Sequence, residues 1–321
     1  YLCLGNHDVE PVKKWIDMPH HQLCFNRNNK DNPICADLKI DGLQPSNWTM
    51  SSYYWTIYHQ NVQFIFLDTN VLHFFELSNT PHYLQLLYNR LLERYPDKVH
   101  ILDYTMDIIS RQLAGLMDID TGENFAFYAK RDKKFLFYSD KMDMVDKQIQ
   151  WFIDMLCNIT TNWTFVIGHH PPHFIPHSNK AGKNIGCIPP ICIISYLITL
   201  YNSVSDDMVQ VHASGHEHNQ QVMFNSGSLC TEIITGAGGT DLDTLKKKDH
   251  IIANTMDMLY STGGIIPETI KVYDKDHGFM VCDLDDDVCR FTVYNDNKIV
   301  DEVLINRQEL YLLREQKYVD Y

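Results

Sequence analysis

The feature that most restricts this chain's fold is a set of apolar stretches that run straight into turns dense with polar chemistry. "VQFIFLDTN" (62–70) is a continuous apolar run ending in Asp-Thr-Asn. Such a run suits a strand buried on both faces, as in a parallel sheet covered by helices. "WTFVIGHHPPH" (163–173) is a buried strand entering a His/Pro loop, and "MVQVHASGHEHNQQ" (208–221) is strand then loop. "YLCLGNHD" at residues 1–8 repeats the pattern, and "EIITGAGG" is a strand leading to a glycine turn.

Helical stretches separate these strands. "SNTPHYLQLLYNRLLERYP" carries a Ser/Asn/Thr cap, Pro81 in its first turn and Pro96 past its end. "MDIISRQLAGLMD" reads as another helix, and "MVDKQIQWFIDMLC" places Val145, Ile149, Phe152 and Leu156 on one face. "PPICIISYLITLYNSV" reads as a buried helix starting on proline. "ENFAFYAKRDKKFLFY" alternates as a hairpin, and residues 20–52 read as an irregular polar stretch. From Gly278 the chain alternates as three antiparallel strands with Asp/Asn turns, and "RQELYLLREQKY" closes it as a charged helix. Strands alternating with helices predict an α/β domain, with its chemistry at the carboxyl ends of strands.

Bulk properties narrow the function. With 321 residues the chain can bury a large core. A net charge of −14 and the lack of a Lys/Arg stripe argue against a nucleic-acid-binding patch. No segment reaches the roughly 18–20 apolar residues of a membrane span. Nine cysteines form no CxxC pair, which leaves a zinc ribbon without support. Cys282 and Cys289 flank "DLDDDV" and either face each other across a hairpin or stay free buried thiols. Cys187 and Cys192 bracket "IPPI". Sequons at Asn47, Asn158 and Asn162 are no more than chance supplies in so Asn-, Ser- and Thr-rich a chain.

Three clusters carry the chemistry: "GNHD" (5–8), "GHHPPHFIPH" (168–177) and "GHEH" (215–218). Of sixteen histidines, seven lie between His169 and His218. An isolated histidine is usually a plain core or surface residue, but three clusters in glycine turns after strands point to metal coordination. Imidazole and the Asn carbonyl oxygen suit zinc, manganese or iron. In "GHEH" an i, i+2 spacing on extended backbone would put both imidazoles on one face.

In their order, "GNHD…GHHP…GHEH" resemble the later motifs of the calcineurin-like metallophosphoesterase superfamily. With "FIFLDTN", "GAGG" and "CRFTVYNDNKIVDEVLI", the resemblance is closest to the purple, tartrate-resistant acid phosphatases. It implies an α/β/β/α sandwich truncated at its N-terminus, occupying residues 1–306, with an insertion at about 78–142 and a helical tail at 307–321. It also implies a phosphatase acting on a phosphorylated substrate through two metal ions, Fe, Zn or Mn. Asn6, His169 and His216 would bind the second ion and His218 the first. His7 would protonate the leaving group, Asp8 would orient His7, and His177 would face the substrate. His170 and His173 match no family role and are expected to be ordinary loop histidines. The family's first two motifs, an Asp-x-His or Asp-x-Gly turn and a Gly-Asp turn, do not occur here, so half the ligands are expected upstream of residue 1. The alternative is a non-catalytic scaffold, or an inactive truncated homologue, that keeps the fold without the chemistry.

Overall fold

The computed structural model describes residues 53–114, 141–174, 188–238, 267–273 and 276–319. The expected strand and turn at residues 1–8, the irregular stretch at 20–52 and the hairpin at 123–138 lie outside the described residues, as do Cys187 and the C-terminal part of the helix expected to run on to Asp118.

The described chain is mixed α/β. Its main sheet has seven strands in the order β1-β2-β3-β4-β6-β5-β7. These are β1 (Trp55–His59), β2 (Val62–Phe66), β3 (Trp163–Ile167), β4 (Val211–Ser214), β5 (Gln220–Asn225), β6 (Cys230–Thr235) and β7 (Pro267–Tyr273). The centre, β2-β3-β4-β6, is parallel, while β1 and β5 pair antiparallel at its flanks. A second sheet stacks the antiparallel β8 (Gly278–Leu284), β9 (Val288–Asn295) and β10 (Lys298–Asn306).

Helices connect the central strands: α1 (Thr69–Leu72), α2 (Thr80–Arg94), α3 (residues 99–114), α4 (Lys141–Cys157) and α5 (Cys192–Val204), with α6 (Arg307–Tyr318) closing the described chain. The expected faces are the buried ones. Val145, Ile149, Phe152 and Leu156 of α4 are all in the core, and every residue of α5 is buried.

Alternation along the central strands divides the core in two. Ile65 of β2 and Val166 of β3 face the helical layer, where they join Leu84, Leu87, Phe152, Leu197 and Tyr201. Trp163 and Phe165 of β3, with Val211 of β4, face the other way and meet Cys289, Phe291 and Ile305 of the second sheet. Helices, sheet, then second sheet therefore stack in layers, an arrangement compatible with the expected α/β/β/α sandwich. No helix of the described residues is long and apolar enough to cross a membrane.

Strands β1, β5 and β7 were not legible as strands. "WTIYH" and "QQVMFN" are short segments next to polar turns, and they pair antiparallel with β2 and β6.

Candidate functional site

Three loops leave the carboxyl ends of neighbouring parallel strands and meet. The first follows β2. Asp68 caps α1, its Oδ1 accepting the Asn70 N–H at 3.0 Å and the Asn70 amide at 3.0 Å. Asp68, Thr69 and Asn70 are all buried. The second loop, after β3, crosses Thr69. The backbone N–H groups of His169 and His170 both donate to Thr69 Oγ1, at 3.1 and 2.9 Å. A Cβ on Gly168 would lie 2.5 Å from Thr69 Cγ2, so this crossing admits only glycine without a shift.

The third loop follows β4 and is laced to the second. Gly168 N–H donates to the Ala213 carbonyl, and Gly215 N–H donates to the His169 carbonyl at 3.0 Å. The extended backbone expected for "GHEH" is not what forms. His216 has a positive φ of 69°, in the left-handed region, and Glu217 N–H folds back to the Gly215 carbonyl at 2.8 Å. Gly236 of the "GAGG" turn packs closely against this loop. A Cβ there would sit 1.8 Å from the Glu217 carbonyl oxygen.

Among the described residues, His169, His170 and His216 bring one ligand atom each to within 4.8 Å of one another. His169 and His216 are half-buried and His170 is buried. The His73 ring meets the His170 ring edge-on, with centroids 4.2 Å apart. Hydrogen bonding separates the three. Thr69 Oγ1 already accepts two N–H groups, so its own proton goes to His170 Nδ1, 3.0 Å away. Proximity groups three imidazoles, and His170 differs from the other two in being fully buried with its Nδ1 engaged by Thr69.

Of the residues singled out by sequence, the structure thus brings His169 and His216 together. His218 is half-buried and lies outside this cluster of described residues. Asn6, His7, Asp8 and His177 lie outside the described residues.

His170 and His173, expected as ordinary loop histidines, are both buried. His173 Nδ1 donates to both carboxylate oxygens of buried Glu232, at 2.8 and 3.0 Å. Asn225 Nδ2 donates to the same carboxylate at 3.0 Å. His212 of β4 pairs in register with Glu232 of β6. Burial pushes the Glu232 carboxyl up, but the charge and hydrogen bond of His173, the charge of His212 and the Asn225 amide outweigh it and hold it below the usual range. Burial lowers the His212 imidazole to about 4, with Glu232 opposing the shift and His173 adding to it. Sequence carried one usable signal here: a glutamate inside the otherwise apolar strand "CTEII" needs a buried partner.

No family model matches this chain, and no curated protein matches it. Among solved structures it is similar to GAP50, the anchor in the inner membrane complex of Plasmodium, at 13% identity and a TM-score of 0.40. That match covers 83% of this chain and 62% of the other. It is also similar to purple acid phosphatase PPD1 isolated from yellow lupin (Lupinus luteus) seeds, at 10% identity and a TM-score of 0.42, covering 95% of this chain and 40% of the other. The chain therefore spans less than two thirds of the length of either structure, and neither likeness bears on the chemistry of the site.

Proposed function

We propose that this chain belongs to a metal-dependent hydrolase of phosphate esters, a metallophosphoesterase of the kind its motifs resemble. The observation that carries the proposal is the meeting of His169 and His216 on loops that leave adjacent parallel strands, where open α/β sheets place their sites. His169 and His216, with Asn6, are the ligands assigned to one ion, and His218 is assigned to a second. Iron, zinc and manganese all suit these donors. Bound ions would supply the positive charge that offsets the phosphoryl oxygens and would acidify water at the site. The chain's own residues do the rest. Thr69 holds the backbone of His169 and His170 in place, His7 gives a proton to the leaving group, Asp8 orients His7, and His177 faces the substrate.

The test uses full-length protein reloaded with manganese, zinc or iron and a generic aryl phosphate. Chelator-sensitive turnover is expected. His169→Ala should lose both metal and turnover. His7→Ala should keep its metal and lose turnover by roughly 10²–10⁴-fold. Protein that binds no metal and turns over nothing above buffer would overturn the proposal.

A further inference from the structure

The hairpin of β8 and β9 carries two cysteines far along the chain from the histidine loops. The register pairs Cys282 with Phe291 and Leu284 with Cys289, so the two cysteines sit on a diagonal. Their Sγ atoms still lie only 3.5 Å apart. Both are free thiols. Cys282 is exposed to solvent, whereas Cys289 is buried between the two sheets. A disulfide places its sulfurs about 2.05 Å apart, so closure needs roughly 1.5 Å of approach between side chains that already face each other.

The turn between them is tied to both neighbouring layers. Asp285 Oδ1 accepts the N–H groups of Asp287 and Val288, at 2.9 and 2.6 Å. The Asp285 carbonyl accepts Trp163 Nε1–H at 2.7 Å. Trp163 begins β3, the strand that runs into Gly168 and His169. On the other side, Arg307 at the start of α6 donates its N–H to the Asp287 carbonyl at 3.0 Å.

We propose that Cys282 and Cys289 are a redox site, in which exchange with a low-molecular-weight disulfide such as glutathione disulfide forms a bond across this hairpin. The Cys282 thiolate attacks one sulfur of glutathione disulfide and releases one glutathione thiolate, leaving a mixed disulfide on Cys282. The Cys289 thiol then gives its proton to a solvent base and attacks Cys282 Sγ. This expels the second glutathione thiolate and forms the Cys282–Cys289 bond. Two protein thiols are oxidised and one glutathione disulfide is reduced to two glutathione thiols. Access sets the order, since only Cys282 is open to the reagent. The hydrogen bond with Cys282, and then burial, hold the Cys289 thiol well above the usual cysteine range, so it is not the thiol that attacks first, and its part in the second step rests on its 3.5 Å approach to Cys282 Sγ.

Reduced 321-residue chain is equilibrated in glutathione buffers from reducing to oxidising, quenched in acid and alkylated. It is then digested with a protease cutting at the aspartates between the two cysteines and read by mass spectrometry. The expected result is one pair of linked peptides, short by two hydrogens and unalkylated at both positions, that rises as the buffer becomes oxidising. In Cys289→Ser the glutathione adduct on Cys282 should accumulate instead. In Cys282→Ser, Cys289 should stay alkylatable after unfolding. Cys282 is exposed, so that variant is expected to keep the wild-type circular dichroism, and it decides the matter even if Cys289→Ser fails to fold. Folded wild-type protein that stops at the Cys282 adduct, remains fully reduced in every buffer, or links Cys282 to another cysteine would overturn the proposal.

Discussion

Acidification should weaken this fold through His212 before it reaches the carboxylates. His212 and Glu232 are register partners on the parallel pair β4–β6, so their side chains share one face of the sheet. His212 Nε2 is buried without a hydrogen-bond partner among the described residues. Burial lowers this imidazole from 6.5 to about 4. In the unfolded chain His212 takes up its proton near pH 6.5, and in the folded chain only near pH 4. Between those values the unfolded state binds more protons, so stability falls as pH falls. Above pH 6.5 the contribution is constant. A shift of this size amounts to about 3 kcal/mol at most.

Glu232, held below the usual carboxylate range, also stabilises the fold above its unfolded pKa. That contribution is lost as pH falls through the folded value, lower on the scale than the start of the His212 loss. Urea unfolding followed by tryptophan fluorescence at a series of pH values separates the two. His212→Leu should match wild type within about 1 kcal/mol at pH 7.5, because it replaces a neutral buried ring by a hydrocarbon. Between pH 6.5 and 4 its stability should fall much less steeply than that of wild type. Parallel curves for the two proteins across this window would refute the assignment.

Two further outcomes concern the crossing of the first two loops. Thr69→Val removes the acceptor for two backbone N–H groups and should cost roughly 2–3 kcal/mol, while Thr69→Ser should stay within about 1 kcal/mol of wild type. Equal stability of Val and Ser variants in urea would mean that the hydroxyl holds nothing. Gly168→Ala should cost about 1–3 kcal/mol through the contact with Thr69 Cγ2, and most of that loss should disappear in the Gly168→Ala/Thr69→Ser double variant, which lacks the methyl. Simple additivity of the two changes would place the strain elsewhere.

Much of the architecture is local information. The apolar runs at 62–67 and 163–167 suit strands covered on both faces, and the periodicity of α2 and α4 suits helices packed on one side. Glycine-then-histidine at the ends of β3 and β4 marks a turn with ligands in it, because the residue types themselves state their chemistry. What the chain by itself could not determine is which of these side chains share a space. His169, His170 and His173 lie within five residues of one another, yet one stays half-buried beside His216, one is pinned to Thr69, and one is hydrogen-bonded to Glu232 on an interior strand. Those destinations depend on Thr69, 100 residues upstream of His169, and on Glu232, 59 residues downstream of His173. The left-handed turn at His216 likewise sits against a glycine on the neighbouring strand's exit, and the meeting of Cys282 with Cys289 follows from the register of a hairpin. A residue's type sets what it can bind, but its partners are set by strand order and register, which arise from contacts between segments distant in sequence and are therefore decided only when the whole sheet has formed.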